Sequence, residues 1–181
     1  MQAGSADRAR ANESEVQGKP YASLTVLGSA GITAYQAIFE ELKVVPEDVV
    51  VISGASGAVG SMAVQYAKKV VGAARVVGIA AAKKADWVKS IGADATADYH
   101  STSFAKDLAA AIGPQGASKF LDLTGGPALD ETLKLMSVNG HVAVAGNMPS
   151  MSGTPQTITA PLVIVQKGLT IRGKHTAGIC A

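Results

Sequence analysis

The sequence predicts an α/β fold: a doubly wound parallel sheet forming a single domain. Three observations carry that expectation. Apolar strand-like runs alternate with helical stretches along nearly the whole chain. The runs are continuously apolar, as in strands buried on both faces. And 181 residues are enough for one core but too few for two ordinary domains.

The elements follow in order. Residues 1–20, MQAGSADRARANESEVQGKP, lack apolar periodicity and read as a loose N-terminal tail, leaving 21–181 as the domain. Gly31 to Val44, GITAYQAIFEELKV, reads as a helix with Ile32, Tyr35, Ile38, Phe39 and Leu42 on one face. DVVVIS is a buried strand, and Ala58 to Val71 is a helix burying Met62, Ala63, Tyr66, Ala67 and Val70. The rhythm then repeats. ARVVGIA is a strand, Lys83 to Ile91 a helix and DATADY a short strand. A helix at Phe104 to Ile112, the strand KFLDLT, a helix at Leu129 to Met136 and the strand HVAVAG come next. After a loop rich in Ser, Pro and Gly, APLVIVQKG and LTIRG complete the pattern. Alternation of this kind gives a parallel sheet covered on both faces, wound by right-handed crossovers.

Composition narrows the function. Hydrophobic content is 48% and charged content 17%, which describes a globular chain with much of its apolar sequence buried. Aromatics make up only 4%, so the core must be built from Ala, Val, Ile and Leu. A net charge of +2 argues against nucleic acid or an anionic membrane as partner. The single cysteine, Cys180, permits no intrachain disulfide and no cysteine metal cluster. Asp7, Arg8, Arg10, Glu13 and Glu15 break any signal-peptide pattern, and the apolar run Val70 to Ala82 contains Arg75 and is too short for a bilayer. The expected location is the cytoplasm.

The stretch GASGAVG, Gly54 to Gly60, lies between the first buried strand and its helix. Gly54, Gly57 and Gly60 let backbone N–H groups come close to a phosphate, and the helix N-terminus adds about half a positive charge. The last glycine also lets the helix pack close to the strand. The spacing departs from strict G-x-G-x-x-G, and no Gly-Lys-Ser/Thr follows, which excludes a Walker-type loop. A tight strand–helix turn with no ligand has the same local signature. The strand before, the helix after and the doubly wound pattern around it favour a dinucleotide.

An NAD site usually carries Asp or Glu at the end of the second strand, gripping the ribose 2′-hydroxyl. Here the chain reads VVGIAAAKKADW, with Ala80, Ala81 and Ala82 and no acid at the strand end itself, and with Lys83 and Lys84 next. Two ammoniums without a carboxylate suit a 2′-phosphate, hence NADP(H). Two solvated lysines opening a helix would look the same in isolation.

The motifs LGSAGITAYQAI, GASGAVGSMAVQYAK, VVGIAAAKKADWVKSIGAD, DLTGG, GHVAVAGN and GLTIRG occur in this order between Leu24 and Gly173. Together they resemble the Rossmann-type cofactor-binding domain of the medium-chain dehydrogenase/reductase superfamily. Within it, the nearest branch is the zinc-free, NADPH-dependent double-bond reductases of the prostaglandin reductase, leukotriene dehydrogenase and quinone reductase types. AVQYAK and GLTIRG are equally similar to zinc alcohol dehydrogenases. The resemblance implies that Ala58, Val59 and Gly60 face a pyrophosphate and Lys84 a 2′-phosphate. It places Tyr99 where the reductases have a cofactor-contacting Tyr, Gly146 and Asn147 on the loop near the nicotinamide, and Thr33 on the opposite side of the cofactor. It also implies a homodimer through the last strand.

The departures from the family are specific. NMPSMSG offers no Tyr after the AGN turn, and Leu123 stands where DNVGG has Asn. The family's separate GroES-like catalytic domain has no counterpart in these residues, so the expectation is the cofactor half of an oxidoreductase. Such an enzyme would pass hydride from NADPH to the activated C=C or C=O of a small enal, enone or quinone. A catalytically silent nucleotide-sensing module of the same ancestry, the cofactor domain of an alcohol dehydrogenase-type enzyme and an inactive truncated product remain as alternatives. No residue stands out as a general acid. His100, His141 and His175 have no metal-ligand spacing, and Tyr66 lacks a Lys four residues on. SGASGAVGS is no Gly-x-Ser-x-Gly elbow.

Overall fold

The structure is a computed structural model that describes residues 28–146, 158 and 161–173. The expected tail and Asn147 lie outside the described residues. Helix α1 spans Ser29–Tyr35 and continues through Gln36–Glu41 with wider, i→i+5 bonding. Strand β1 is Val49–Ile52, and α2 runs over Ala58–Gln65 and, again with wider bonding, Tyr66–Val71. After β2 (Arg75–Ile79), a 3₁₀ turn at Ala82–Lys84 leads into α3 (Ala85–Ser90). Then come β3 (Ala95–Ala97), α4 (Phe104–Ile112), β4 (Ala117–Asp122), α5 (Pro127–Leu135) and β5 (Met136–Val144). Helix α6 (Pro161–Lys167) and β6 (Thr170–Gly173) close the described chain.

All six strands are parallel, in the order β3-β2-β1-β4-β5-β6. The doubly wound expectation holds, with its reversal of strand order between β1 and β4. Alternate residues along each strand serve opposite faces. Val50, Ile52, Val76, Leu121 and Ala143 meet α1 and α2 in one core cluster. Val51, Val77, Phe120 and Val142 meet α4 and α5 in the other, where Phe120 is completely buried. No helix among the described residues is long and apolar enough to cross a membrane.

Four details differ from the sequence reading. Val70 was expected in the core but is 65% exposed, and Val71 packs inward instead. The wider turns after Gln65 advance each residue by less than the α-helical step of about 100°, which swings Val70 out. Tyr35 is also half exposed; it lies against Phe39 and Tyr66 at the rim of the α1–α2 contact, with centroids 4.8 and 6.4 Å away. Met136 ends no helix: extended backbone there starts β5, and Met136 pairs with Ala117. Long-range pairing, invisible in the local pattern, decides that boundary. Finally, the sheet is not apolar throughout. Lys119, His141 and Thr170 sit in register across β4, β5 and β6, on the face that carries Leu121 and Ala143. Burial, with Lys119 and Arg172 nearby, pulls the His141 imidazole below its ordinary value.

Gly60 carries the close packing of α2 on the turn after β1. A Cβ there would run into the Gly54 carbonyl and lie 2.8 Å from Ala55 Cα, both backbone and unable to yield cheaply. At Gly57 the backbone is extended, with φ −81°, and a Cβ would sit 3.2 Å from Gly54 O. Gly60→Ala should therefore cost roughly 1–3 kcal/mol in urea unfolding, and Gly57→Ala clearly less. Equal losses at the two positions would refute this account of the corner.

Candidate functional site

A cavity of about 310 Å³ opens at the C-terminal ends of the strands, at the β1/β4 reversal. Its size is at the lower end of the range for ligand pockets, and open α/β sheets bind ligands at this position. One wall is the glycine corner, through Gly54 and Ser56, and the floor is Ile79 and Ala80 at the end of β2. Tyr99, beyond β3, forms a third side. The opposite wall is a second glycine-rich turn, Thr124, Gly125, Gly126, Pro127 and Ala128, leading into α5. Gly54 has φ +58°, where an L side chain is strained, and a Cβ there would press on Thr124 Cγ2 at 3.1 Å. The two walls leave no easy room there for a side chain at Gly54.

Two helices begin at this cleft without side-chain caps. In α2 the first intrahelical bond is Ser61 N–H to Gly57 O, at 2.9 Å. The N–H groups of Ala58, Val59 and Gly60 precede it, with no capping side chain and no acid in the first turn. In α5 the N-cap is Gly126, again uncapped, and Pro127 fills the first position, where no N–H is needed. Both helix ends present partial positive charge, an arrangement that suits an anionic ligand.

The walls are joined underneath. Ser53 Oγ donates to Asp122 Oδ1 at 2.8 Å, and Leu123 N–H donates to Ser53 Oγ at 2.7 Å. Asp122 also accepts from Thr124 N–H and Gly125 N–H at 3.3 and 3.0 Å. Both side chains are completely buried. Burial pushes the Asp122 carboxyl up, against the lowering effect of Ser53 and the Gly125 and Thr124 amides.

Of the residues singled out from the sequence, Gly54 and Tyr99 line the cavity. Gly57 and Ala58 are exposed at the corner, Val59 is half-buried, and Gly60 is buried behind it. Lys83 and Lys84 lie exposed on the 3₁₀ turn directly after the cavity floor, and among the described residues neither is in an ion pair. Lys68, by contrast, is held by Asp94 at 2.9 Å. Gly146 passes so close to the Leu123 carbonyl that no Cβ fits. Thr33 is buried on α1, away from the cavity lining. The sequence reading takes DLTGG only as a motif of the resemblance, not as a wall of the site, and does not pair Asp122 with Ser53. The signal for the wall was DLTGGP, an acid at a strand end followed by a second glycine-rich entry to a helix. Among the described residues no three His, Cys, Asp or Glu side chains are grouped to hold a metal ion.

The family model described as zinc-binding dehydrogenase matches residues 58–179. The chain belongs to this family. The resemblance to the medium-chain dehydrogenase/reductase cofactor domain is thereby borne out. Rabbit (Oryctolagus cuniculus) prostaglandin reductase 1 is 31% identical over 140 residues, 77% of this chain and 40% of that protein. A CurA from Vibrio vulnificus, solved in complex with NADPH, superposes with a TM-score of 0.77 at 26% identity, covering 87% of this chain and 48% of that one. An NAD-dependent alcohol dehydrogenase superposes with a TM-score of 0.69 at 30% identity, over 80% of this chain and 40% of its own. The chain thus spans less than half the length of these family members.

The raised Asp122 pKa has a defined consequence for stability. The folded state holds this proton more tightly than the unfolded chain, whose carboxyl titrates near the ordinary 3.8. The group's contribution is therefore full below that value and is lost as pH rises through the folded pKa. Urea unfolding of wild type and Asp122→Asn between about pH 4 and pH 7 should show wild type losing ground to the variant as pH rises. A difference independent of pH would contradict the raised value.

Proposed function

We propose that this chain is the NADP(H)-binding part of a zinc-independent oxidoreductase that reduces the activated C=C or C=O of a small enal, enone or quinone. The observation that carries the reading is the cleft's charge pattern. Uncapped helix N-termini sit beside the end of β2, where Ala80, Ala81 and Ala82 offer no carboxylate and, among the described residues, Lys83 and Lys84 are in no ion pair. The NADPH-bound CurA of the same fold and the prostaglandin reductase relative support it.

In this reading the N–H groups of Ala58, Val59 and Gly60 hold the pyrophosphate, and Gly54 and Gly57 let it approach. Lys84, with Lys83 beside it, takes the 2′-phosphate, and Tyr99 flanks the adenosine. Gly146 and Asn147 border the nicotinamide, with Thr33 across from them. When bound, the nicotinamide supplies the hydride. The chain's own residues contribute binding and orientation, and none of them is assigned as an acid or base.

Lys84 is the test. A charge-assisted hydrogen bond to phosphate is worth roughly 1.5–3 kcal/mol. Lys84→Ala should thus weaken NADPH about 10- to 100-fold in calorimetric titration and leave NADH nearly unchanged. Lys83→Ala should cost less, because neighbouring residues on a 3₁₀ turn point about 120° apart. Equal weakening of NADH and NADPH would leave the lysine a mere helix support. A clear preference for NADH would favour the second reading, the cofactor domain of an alcohol dehydrogenase-type enzyme, which the NAD-dependent neighbour supports.

The assembly is proposed as a homodimer through β6. Among the described residues it is an edge strand of the sheet, unpaired on one side, and Leu162 and Val165 of the adjoining α6 are 66% and 79% exposed. Sedimentation at tens of micromolar should read a dimer, and Val165→Asp should shift it toward monomer. A monomeric wild type at that concentration would rule the arrangement out.

A further inference from the structure

The two strands at the reversal carry a matched pair of side-chain ties, one at each end. Beside the cleft, Ser53 after β1 donates to Asp122 of β4 at 2.8 Å. At the far end the roles are exchanged: Ser118 of β4 donates to Asp48, just before β1, at 2.7 Å. Asp48 also accepts from Val45 N–H at 2.8 Å, so each carboxylate gathers a neighbouring loop as well as the opposite strand. The four residues of β1, Val49–Ile52, separate the two ties, five steps of extended chain or roughly 16 Å.

We propose that Asp122, through Ser53, is a positioning residue for nucleotide binding, setting the spacing of the cleft's two glycine-rich walls, while the Asp48–Ser118 tie holds only the sheet. The proposal rests on the nucleotide-binding reading above. Its first support is connectivity. One buried network takes in the end of β1 and three successive N–H groups, Leu123, Thr124 and Gly125, of the facing wall. The second is the backbone of that wall, where Gly125 and Gly126 have φ +68° and +62°. A turn built on two glycines has wide conformational freedom, and the carboxylate selects one form of it. Thirdly, the wall lies close to the corner, where a Cβ added at Gly54 would come within 3.1 Å of Thr124 Cγ2, so a small shift there changes the gap available to a ligand. A completely buried carboxylate is also an expensive way to hold a sheet, since apolar replacements of buried polar ties are often neutral or stabilising. Burial raises the pKa of Asp122, in keeping with that cost.

The far tie is the internal control. Four variants of the whole chain, Asp122→Asn, Ser53→Ala, Asp48→Asn and Ser118→Ala, are compared for urea stability, NADPH affinity by calorimetry and amide hydrogen exchange. Asn at 122 keeps the Oδ1 acceptor but sets an N–H₂ in place of Oδ2, against the Gly125 N–H that Oδ2 accepts from at 3.1 Å, and Ala at 53 strands Leu123 N–H. Stability should fall in both pairs. NADPH should weaken about 10-fold or more in the near pair, and exchange at Thr124 and Gly125 should accelerate there alone. The far pair should stay within about twofold of wild-type affinity. Should Asp122→Asn fail to fold, Ser53→Cys keeps the shape with a poorer donor and reads the same tie. Loss of affinity in proportion to lost stability in all four variants, or unchanged affinity in the near pair, overturns the positioning role and leaves the cofactor reading standing. A wild type that binds neither NADPH nor NADH at millimolar concentration overturns both.

Discussion

Strands β1 and β4 lie side by side although about 70 residues separate their paired side chains, and the whole cleft depends on that pairing. In a parallel sheet the chain leaves every strand at the same end. Where the winding reverses, two successive strand–helix turns diverge to opposite faces and leave a gap between them. The gap here is floored by β2 and walled by the turns after β1 and β4. Because both turns lead into helix N-termini, the gap acquires backbone donors and partial positive charge without using any charged side chain.

Small side chains make this geometry possible. Helix α2 packs closely on the turn after β1 through Gly60, with Ala63 and Ala67 buried in the core cluster beside it, and Gly146 crosses Leu123 where no Cβ fits. An alanine- and glycine-rich interface gains less from burying apolar area than a leucine-rich one, but it brings backbone nearer to ligand. Larger apolar side chains fill both faces: Ile38, Leu42, Ile52 and Leu121 on the α1–α2 side, and Phe120, Leu108, Leu133 and Met136 on the α4–α5 side, all fully buried. Both faces thus supply the packing, and the upper edge of the sheet carries the site.

Polar groups divide similarly. Arg172 reaches Glu41 at 3.8 Å and Lys68 holds Asp94, both near the surface, where such pairs add little to stability. The completely buried polar pair, Ser53 and Asp122, lies under the cleft. Carboxylates with perturbed pKa values beside a pocket cluster at functional sites, and structural networks perturb them as well.

The sequence by itself determined the α/β alternation, the parallel sheet and the glycine corner, because each is written in local periodicity and in residues with special backbone freedom. It also determined that no acid stands at the end of β2, before the two lysines, since those are adjacent letters. Other features needed the tertiary structure. Which wall faces the corner, DLTGGP after β4, depends on strands brought together across 70 residues, as does the Ser53–Asp122 bond. Local patterns carry no such distances. Val70 turning outward and Met136 joining β5 were likewise decided by helix phase and strand register, which are set by packing partners elsewhere in the chain.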